Sequence, residues 1–405
     1  MAWAFIMTLM AVFLGAAAVL VWVYLLTARG GFWRFREVLP AAEGGSAARV
    51  AVVIPARDEA AGIARTVRSL LTQRFGGALH LFVVDDHSTD DTARLATGAA
   101  AEAGASGRLT LISGAPLAPG WTGKLWAMSA GIAAAQEFAP DFFLFTDADI
   151  EHEPSSVARL VAQAEKLGSD MTSVMVRLHA GHAWEALLIP AFVFFFFKLY
   201  PPAWVAKAEK ATAGAAGGCM LVRRQALERI GGIGAIRGEL IDDCALARAV
   251  KRTGGRVWLG LARETRSTRE YASPGEIRDM IARTAYTQLR YSPLLLAGTI
   301  AGMAIIYLAP PALAIAARGT AQLLGIGAWL LMSMSFLPAV RYYRKPMILS
   351  LQLPLAAAFY VESTLASAAR YYMGRGGQWK GRAQAELANA DAKDAAAASN
   401  LHHGR

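Results

Sequence analysis

The stretch Asp141-Phe-Phe-Leu-Phe-Thr-Asp-Ala-Asp149 decides the fold of this chain. Its apolar run predicts a buried β-strand, and the carboxylates of Asp147 and Asp149 follow where that strand ends. Side chains at i and i+2 share a face of a strand unless the chain turns there. Two anions this close favour a ligand between them, and oxygen ligands suit Mg²⁺ or Mn²⁺, ions that also bind substrate phosphates. The ordinary alternative is that a strand-end aspartate caps a helix or forms a turn.

Three other apolar runs predict strands of the same sheet, at residues 50–54, 79–84 and 109–112. Helical patterns separate them, at residues 61–72 and from Thr92 onward. Strands that alternate with helices between residues 48 and 290 predict an α/β domain with a mostly parallel sheet. In such sheets ligands bind beyond the carboxyl ends of the strands.

Polar residues follow the first two predicted strands. Pro55, which we expect to end its strand, and Glu59 follow the first, and Asp85 and Asp86 follow the second. An aspartate at this position can accept a hydrogen bond from the N3–H of a uracil, which would give base specificity. Two adjacent carboxylates repel each other unless a ligand or donor groups take them up, so this pair indicates a binding site.

Helix capping is the ordinary explanation for the polar run after Asp86. Ser, Thr and Asp before a helix satisfy its unpaired N–H groups. We expect Ser88 and either Asp90 or Asp91 to act in this way.

A glycine-rich turn, Pro119-Gly-Trp-Thr-Gly-Lys124, precedes a helix predicted from about residue 125. Such a turn suits a pyrophosphate, because backbone donors, a helix N-terminus and one cation come together. Taken alone, the motif is explained more simply by an ordinary turn with a solvated lysine.

Two adjacent aspartates, Asp242 and Asp243, begin another predicted helix. Capping explains one of them, and the second is available as a general base for an acceptor hydroxyl. The glycines at 214, 217 and 218 allow a close approach of a ligand, or only a tight turn. A helix predicted over residues 274–291 ends with Arg290 and Tyr291, and its arginines lie on a membrane surface or are solvated.

Apolar residues are concentrated in blocks, within a composition that is 55% hydrophobic. Residues 1–28 carry no charge and exceed the roughly 20 residues that span a bilayer. A cleavable signal peptide would need a basic start and a shorter core, so a retained transmembrane anchor is favoured. Arg29, Arg34 and Arg36 follow it and place the next segment in the cytoplasm, at the inner membrane.

The C-terminal part contains more apolar segments. Residues 291–317 and 319–340 predict two spans, the first with a possible break at Pro310-Pro311, and residues 346–369 predict a less regular third. A full third span would place the basic residues after Arg370 outside the cell, so the segment is re-entrant or interfacial, or the positive-inside tendency fails here. We expect residues 370–405, which are basic and alanine-rich, to be flexible.

Charge and cysteine content narrow the function classes. A net charge of +10 suits contact with an anionic membrane leaflet, and nucleic-acid binding is disfavoured because basic and aromatic residues do not cluster. Cys219 and Cys244 are too few for a disulfide framework or a zinc site. Residues 187–197 are too short an apolar run to span a membrane and predict an interfacial or buried helix. His179 and His182, spaced i and i+3, suit a metal on a helix but more simply a surface pair.

The order of these motifs resembles family 2 glycosyltransferases with the GT-A fold, a Rossmann-like α/β domain. The resemblance covers roughly residues 48–292, together with the N-terminal anchor and the C-terminal spans. Gly-Trp-Thr-Gly-Lys at 120–124 and Gly-Cys-Met-Leu-Val-Arg-Arg at 218–224 resemble membrane enzymes that glycosylate ceramides, carotenoids and hopanoids. The stretches 238–246 and 283–292 are most similar to the hopanoid-biosynthesis-associated glycosyltransferases.

The chain departs from the family pattern at two places. The usual Asn-Glu after the first strand is Asp58-Glu59, which changes the expected base contact. The usual Gln-x-x-Arg-Trp is Thr287-x-x-Arg290-Tyr291. An aromatic residue that holds the acceptor is kept, but the processive form is not, which argues against a polysaccharide synthase.

The resemblance implies an inverting, metal-dependent enzyme that moves one sugar from a UDP-sugar to a lipid hydroxyl, in hopanoid biosynthesis. Ceramides, carotenoids and polyprenyl phosphates are alternative acceptors. A non-catalytic protein that binds lipid or nucleotide is the alternative of another class, and the presence of all expected carboxylates counts against it. The implied roles are Mg²⁺ or Mn²⁺ binding for Asp149 and Asp147, donor binding for Pro55, Glu59, Asp85, Asp86, Lys124 and Asp147, proton removal for Asp243 with Asp242 orienting it, and acceptor contact for Arg290 and Tyr291.

Overall fold

The computed structural model of the protein describes residues 2–42, 45–374, 378–379 and 382–383. The chain divides into two compact units. Among the described residues, an α/β unit contains those of the ranges 37–178 and 205–269 and those after 369, and a helical unit contains residues 2–36, 179–204 and 270–369.

A mixed eight-stranded sheet forms the centre of the α/β unit, in the order β3-β2-β1-β4-β7-β6-β8-β5. The strands are β1 (Arg49–Ala56), β2 (Ala78–Asp85), β3 (Leu109–Ser113), β4 (Phe142–Thr146), β5 (Ile150–Glu151), β6 (Met171–Arg177), β7 (Cys219–Arg223) and β8 (Val257–Ser267). The first four are parallel, as predicted, whereas β7 runs antiparallel to both β4 and β6. The predicted α/β class is confirmed.

Helices surround the sheet and form most of the helical unit. They are α1 (Ala2–Thr27), α2 (Ile63–Leu71), α3 (Thr92–Glu102), α4 (Gly123–Ala134), α5 (Ser156–Leu167), α6 (Ala183–Leu199), α7 (Pro202–Val205), α8 (Arg224–Arg229), α9 (Asp242–Arg252), α10 (Pro274–Ala282), α11 (Ala285–Gln288), α12 (Pro293–Met303), α13 (Ala309–Ala316), α14 (Gly319–Tyr342) and α15 (Leu353–Tyr372).

Strand β1 is buried on both faces. Val52 and Ile54 belong to a core cluster that also contains Val67 of α2, and burial of each such side chain contributes about 1.5–3 kcal/mol. On α4, a Cβ at Gly131 would lie 2.5 Å from Val53 Cγ1. Glycine at this position therefore lets α4 pack closely on the sheet, with the N-terminus of α4 near the ends of the strands.

The prediction that Pro55 ends the first strand is wrong. Strand β1 continues to Ala56, which pairs with Asp85 of β2. Pairing with β4 on the other side ends at Val53, so Pro55 lies where the strand has already lost one neighbour. A proline, which lacks an N–H donor, is tolerated at such an edge.

Five helical segments of the described residues are long and apolar enough to cross a membrane, judged by length and composition. They are Phe5–Thr27, Ala183–Val205, Pro293–Ala316, Gly319–Tyr342 and Met347–Tyr372. The second contains the run at residues 187–197, and its helix is longer than that run, so the segment is not too short to span. Strand β6 before it and strand β7 after it pair in one sheet, so both ends of this connection lie on the same side of a membrane. Before Pro310, the helix loosens into a π-turn at Ala304–Leu308, because a proline supplies no N–H to the ladder.

Two other helix predictions are corrected. The helix predicted over residues 274–291 is broken into α10 and α11, and Arg290 and Tyr291 follow them with φ of 52° and 55°. A left-handed backbone at two successive residues cannot continue a helix. The two histidines are not on a helix either, since α6 begins at Ala183.

Only a few residues of the predicted flexible tail are described. Helix α15 continues to Tyr372, and Gln378–Trp379 pairs with Arg382–Ala383 as a short antiparallel β9–β10. The other residues after 374 lie outside the described part of the chain, and the prediction of a flexible tail concerns mainly those residues.

Candidate active site

Strand β4 ends at Thr146, and the chain turns through Asp147 and Asp149 before β5 begins. Asp147 Oδ1 lies 2.9 Å from Lys124 Nζ. Asp149 Oδ2 accepts a hydrogen bond of 3.0 Å from Ser267 Oγ at the end of β8. Burial raises the pKa of Asp149, and the negative charge of Asp147 raises it further. The two carboxylates thus lie close enough to repel each other, and a cation between them would relieve that repulsion.

Contacts from two other elements hold the backbone of this turn. Thr66 of α2 donates to the carbonyl of Ala148 at 2.7 Å, and Thr268 donates to the carbonyl of Asp149 from its N–H at 2.8 Å. A Cβ at Gly62 would lie 3.1 Å from Asp149 Cα. Glycine at 62 therefore allows the start of α2 to lie directly against the turn.

Lys124, in the first turn of α4, joins two carboxylates from distant parts of the chain. Its Nζ lies 2.9 Å from Asp147 Oδ1 and 3.2 Å from Asp242 Oδ2, and its side chain is only 18% exposed. Burial disfavours its charge, but Asp147 and Asp242 outweigh burial and raise its pKa. The simpler explanation of this motif, a solvated lysine, is therefore wrong.

Asp242 and Asp243 begin α9, but neither of them is its N-cap residue. The N-cap is Ile241, without a side-chain cap bond. Asp243 Oδ2 instead accepts the backbone N–H of Gly217 at 2.9 Å, and its Oδ1 accepts the N–H of Cys244 at 2.7 Å. Burial, with the negative charge of Asp242 next, raises the pKa of Asp243 to about 6. Binding of a first-turn N–H of α9 therefore explains one oxygen of Asp243, but not its second oxygen or Asp242.

Gly217 brings the backbone close to both sides of the cluster. A Cβ at this residue would lie 3.3 Å from Asp243 Oδ2 and 3.4 Å from Lys124 Nζ. The sequence indicated that these glycines allow either a close approach or a tight turn, and at Gly217 the structure shows a close approach. Aspartates 147, 149, 242 and 243 and one lysine therefore form a cluster with an excess of negative charge, which favours a cationic or proton-donating ligand.

The ends of β1 and β2 are tied together by side chains. Asp58, with φ of 50°, donates its N–H to Ser88 Oγ at 3.0 Å, and its Oδ1 accepts the N–H of Thr89 at 2.7 Å. Aspartate and asparagine both tolerate this left-handed backbone and both offer that oxygen. Asp58 in place of the expected asparagine is therefore explained as a residue that connects two loops.

Capping at α3 follows the prediction only in part. Asp90 Oδ1 accepts the N–H of Thr92 at 3.0 Å, whereas Asp91 makes no side-chain cap bond. Ser88 accepts from Asp58 instead of capping the helix. Thr92 Oγ1 accepts the N–H of Glu59 at 2.8 Å, which fixes the backbone of Glu59 beside the start of α3.

Asp85 and Asp86 have different environments. Asp85 is half-buried, and its Oδ1 accepts the N–H of Ser88 at 3.1 Å. Asp86 is 1% exposed, with Arg57 Nη1 3.5 Å from its Oδ2 and donating to its carbonyl at 2.8 Å. The two adjacent carboxylates thus have separate partners: Asp85 accepts a backbone N–H, and Asp86 pairs with a guanidinium.

Arg290 and Tyr291 belong to the helical unit. Tyr291 OH accepts a hydrogen bond of 3.0 Å from Thr287 Oγ1, and the Tyr291 carbonyl accepts one of 2.9 Å from Tyr286 OH. The ring of Tyr291 lies edge-to-face with Tyr286, with centroids 5.7 Å apart. Thr287, which replaces the expected glutamine, therefore positions the tyrosine ring through its hydroxyl.

The two histidines form a structural contact. His179 Nδ1 lies 2.9 Å from Glu185 Oε2, and Glu185 also accepts the N–H of His182 at 2.9 Å. These contacts organise the start of α6, in agreement with the simpler explanation. No group of three or more His, Cys, Asp or Glu that could hold a metal occurs among residues 2–42 and 45–374 or in the short β9–β10 pair.

Comparison with known families decides the identity of the chain. Residues 47–287 match the family described as glycosyltransferase like family 2, which covers more than half of the sequence. The chain belongs to this family. Its enzyme class is that of a glycosyltransferase, and its α/β unit has the GT-A fold. No curated protein matches the sequence.

Solved structures similar to this glycosyltransferase include the mannosyltransferase PcManGT from Pyrobaculum calidifontis, in complex with GDP-Man and Mn²⁺. The two chains share 19% identity and a TM-score of 0.56, over 92% of this chain and 99% of the other. Glucosyl-3-phosphoglycerate synthase from Mycobacterium tuberculosis, in complex with Mn²⁺, UDP-Glc and phosphoglyceric acid, shares 21% identity and a TM-score of 0.41, over 63% of this chain and 86% of the other. At this identity, the likeness to the mannosyltransferase establishes the fold.

Sequence reasoning missed several residues that contact the predicted site residues of this glycosyltransferase. Ser267 and Thr268 bind Asp149, and Arg57 binds Asp86. The apolar pattern of strand β8 is less clear in the sequence than that of the earlier strands, because its last residues include Arg263, Glu264 and Arg266. The signal that could have found Ser267 is its place at the end of a strand, where the other site residues also lie.

Proposed function

We propose that this glycosyltransferase moves one sugar, with inversion, from a UDP-sugar to the hydroxyl of a membrane lipid, and that the lipid is a hopanoid. Membership of the family supports sugar transfer from a nucleotide sugar. The apolar helices support a membrane setting, since five helical segments in the described part of the chain have the length and composition of a span. The proposals for the catalytic base, the metal, the nucleoside site and the lipid acceptor rest on different observations.

The arrangement of Asp243 is the observation that carries the catalytic proposal. One oxygen of this carboxylate accepts the N–H of Gly217, and burial beside Asp242 raises its pKa to about 6. A carboxylate with this proton affinity is ionised at neutral pH yet accepts a proton more readily than an ordinary aspartate. That is the property that a general base for a hydroxyl requires. We assign this role to Asp243 and an orienting role to Asp242.

The proposed reaction is a single displacement. The acceptor hydroxyl gives its proton to Asp243 as its oxygen bonds to C1 of the sugar. The bond between C1 and the diphosphate oxygen breaks on the opposite face, and its electron pair leaves with the nucleoside diphosphate. Attack and departure on opposite faces invert the configuration at C1. Lys124 neutralises part of the negative charge that develops on the diphosphate.

The residues at the turn after β4 suit a divalent metal. Asp147 and Asp149 offer hard carboxylate oxygens, and burial, with the negative charge of Asp147 next, raises the pKa of Asp149. Mg²⁺ is commonly held by one or two carboxylates with substrate phosphates and water, so two side chains are sufficient. We propose that these two aspartates hold Mg²⁺ or Mn²⁺, which stabilises charge on the leaving diphosphate when bound.

The ends of β1 and β2 are the proposed nucleoside site. Pro55 and Glu59 frame one side, and Asp85 and Asp86 the other. Asp85 is the more accessible carboxylate, whereas Asp86 is engaged by Arg57. We therefore propose Asp85 for contact with the base, and uracil as that base, since its N3–H is a donor.

The membrane arrangement is proposed from the distribution of charge. We propose that residues 1–28 anchor the chain, that residues 48–290 form the catalytic domain in the cytoplasm, and that residues 291–369 form the C-terminal membrane region at the inner membrane. Arg29, Arg34 and Arg36 after the first apolar segment support this orientation. Arg290 and Tyr291 are the proposed acceptor-side residues, since they lie directly before the apolar segment that starts at Pro293.

A hopanoid acceptor is supported by the sequence resemblance of residues 238–246 and 283–292, and ceramides, carotenoids and polyprenyl phosphates are the acceptors to compare. The test is a transfer assay with purified full-length protein, total lipid extract and a panel of labelled sugars on UDP and GDP. Label that enters a hopanoid from a UDP-sugar supports the whole proposal. Transfer only from GDP-sugars would show that uracil is the wrong nucleobase. Label in another lipid would show that the hopanoid is the wrong acceptor, and no transfer from any donor would contradict the proposed activity.

A further inference from the structure

We infer that Lys251 is a positioning residue that holds the segment 206–218 against α9 and so places the Gly217 N–H on Asp243. This inference rests on the proposed role of Asp243 as the base. It concerns a lysine that does not contact the cluster of carboxylates itself.

Lys251 lies near the end of α9, the helix that begins with Asp242 and Asp243. Its Nζ donates to three backbone carbonyls, those of Lys207 at 2.8 Å, Lys210 at 2.9 Å and Thr212 at 2.9 Å. An ammonium has three donors, so these three bonds use all of them. Burial lowers the pKa of Lys251, and the nearby Glu209 acts in the opposite direction.

The segment from residue 206 to residue 218 has no helix or strand of its own, since it connects α7 to β7. Its backbone therefore depends on contacts with other elements. Helix α9 supplies them at both ends of the segment. Lys251 binds carbonyls within residues 207–212. At the other end, Asp243 accepts the N–H of Gly217, and the Cys244 Sγ lies 3.7 Å from the carbonyl oxygen of Ala215.

A second contact fixes the end of the segment next to β7. Ser173 of β6 accepts the N–H of Ala216 at 2.9 Å and donates to the carbonyl of Cys219. The stretch between Thr212 and Ala216 is thus held at both sides. Without the three bonds from Lys251, only Ser173 and the Cys244 Sγ hold the backbone before Gly217, and the position of the Gly217 N–H relative to Asp243 becomes less defined.

Loss of the Lys251 bonds is expected to affect the catalytic base Asp243 and not the binding of the donor. A hydrogen bond from an N–H stabilises the ionised carboxylate, so a weaker bond from Gly217 raises the pKa of Asp243 further. A misplaced base lowers turnover, and displacements near 1 Å cost up to about 10²-fold. The donor is held by other residues, so its KM changes little.

The test compares Lys251→Met with Lys207→Met in the full-length enzyme. Lys207 belongs to the same segment and contributes only its carbonyl to Lys251, while its own side chain is 58% exposed. Both variants lose one positive charge. The assay follows transfer of labelled sugar from the UDP-sugar found active to total lipid extract, across pH 5 to 9.

Lys251→Met is expected to lower kcat by about 10-fold to 10²-fold, to leave the donor KM near its native value, and to move the acidic limb of the kcat profile to higher pH. Lys207→Met is expected to match the native enzyme. Lys251→Arg, which keeps a cation with several donors, is expected to recover part of kcat and of the pH profile. Amide hydrogen exchange within residues 206–218 is expected to be faster in Lys251→Met.

Native kcat and a native acidic limb in Lys251→Met overturn the inference, as does an equal loss in both variants. If Lys251→Met does not fold, Lys251→Gln carries the same expectation with a smaller loss. Asp243→Asn distinguishes a wrong assignment of the base from a wrong assignment of Lys251. If Asp243→Asn is fully active, the proposed base is wrong. If it is inactive while Lys251→Met is native, only the positioning role of Lys251 is wrong.

Discussion

Lys124 Nζ lies 2.9 Å from Asp147 Oδ1, so the start of α4 is joined by an ion pair to the end of β4. The two residues come from motifs that are more than 20 positions apart in the sequence. The same ammonium also reaches Asp242, and in this way one cation connects the residues proposed for the donor with those proposed for the acceptor.

Lys124→Met is expected to weaken binding of the UDP-sugar by about 10-fold to 10²-fold, since hydrogen bonds to charged groups contribute about 1.5–3 kcal/mol. Calorimetry with purified protein measures this. Lys166→Met, which removes an exposed lysine at the end of α5, is the control and is expected to bind normally. Native donor affinity in Lys124→Met would show that the lysine does not contact the diphosphate.

Asp149→Asn is expected to abolish transfer and metal-dependent UDP binding while the protein stays folded. The substitution removes one of two proposed ligands. Glu151→Gln is the matched control, because Glu151 lies two residues further and forms a partly exposed ion pair with Arg266. Full activity of Asp149→Asn, or unchanged native activity in excess EDTA, would contradict the metal role.

Asp243→Asn is expected to leave donor affinity near native and to reduce turnover by about 10²-fold or more, because the base contacts the acceptor. Asp242→Asn is expected to lose less. In the native enzyme, a base whose pKa is about 6 predicts full turnover above that pH and a decline below it. Loss of donor binding in Asp243→Asn would instead place this carboxylate on the donor side.

The same raised pKa predicts a stability change. A carboxyl whose pKa rises from 3.8 to about 6 on folding favours the folded state when protonated, and that contribution is lost as pH rises through about 6. The amide of Asp243→Asn places its NH2 group opposite the N–H of Gly217 or of Cys244 and so costs stability at every pH. Loss of the buried charge offsets that cost only at high pH, so the change in the free energy of unfolding should be more favourable at pH 7.5 than at pH 4, by up to about 3 kcal/mol. Thermal melting at pH 7.5 and pH 4 measures this difference, and an equal change at both pH values would refute the electrostatic origin.

Gly107→Cys tests the orientation of the catalytic domain. Gly107 is exposed, and a Cβ there would meet nothing within 4 Å, so the substitution should not disturb the fold. Both native cysteines are buried, which keeps background labelling low. The new thiol is expected to resist a membrane-impermeant maleimide in intact cells and to react after permeabilisation. Ready labelling in intact cells would reverse the proposed topology.

Sequence reasoning located most of the candidate site because its residues follow strands or begin helices. The four parallel strands have continuous apolar runs, and the aspartates at 85, 86, 147 and 149 lie at the end of two of them or within three residues after it. Local patterns of this kind do not depend on distant parts of the chain. The antiparallel β7 and the end of β8 were less visible, because their neighbours in the sheet are far away in sequence.

The errors have the same origin. Pro55 continues its strand because pairing with β4 has already ended there, which only the register of the sheet determines. Only one oxygen of Asp243 binds the first turn of α9, because the other accepts the N–H of Gly217, 26 residues away. Ser88 does not cap α3 because it accepts from Asp58.

The sequence by itself determined the alternation of strands and helices, the apolar segments and the presence of carboxylates at strand ends, since these depend on the spacing and polarity of neighbouring residues. Only the tertiary structure decided which of these carboxylates share a cation and which accept a backbone N–H. Asp147 and Asp242 meet at Lys124 because the end of β4 and the first turns of α4 and α9 come together in the folded chain. The raised pKa of Asp243 follows from burial beside Asp242 there, and burial is a property of the packed chain.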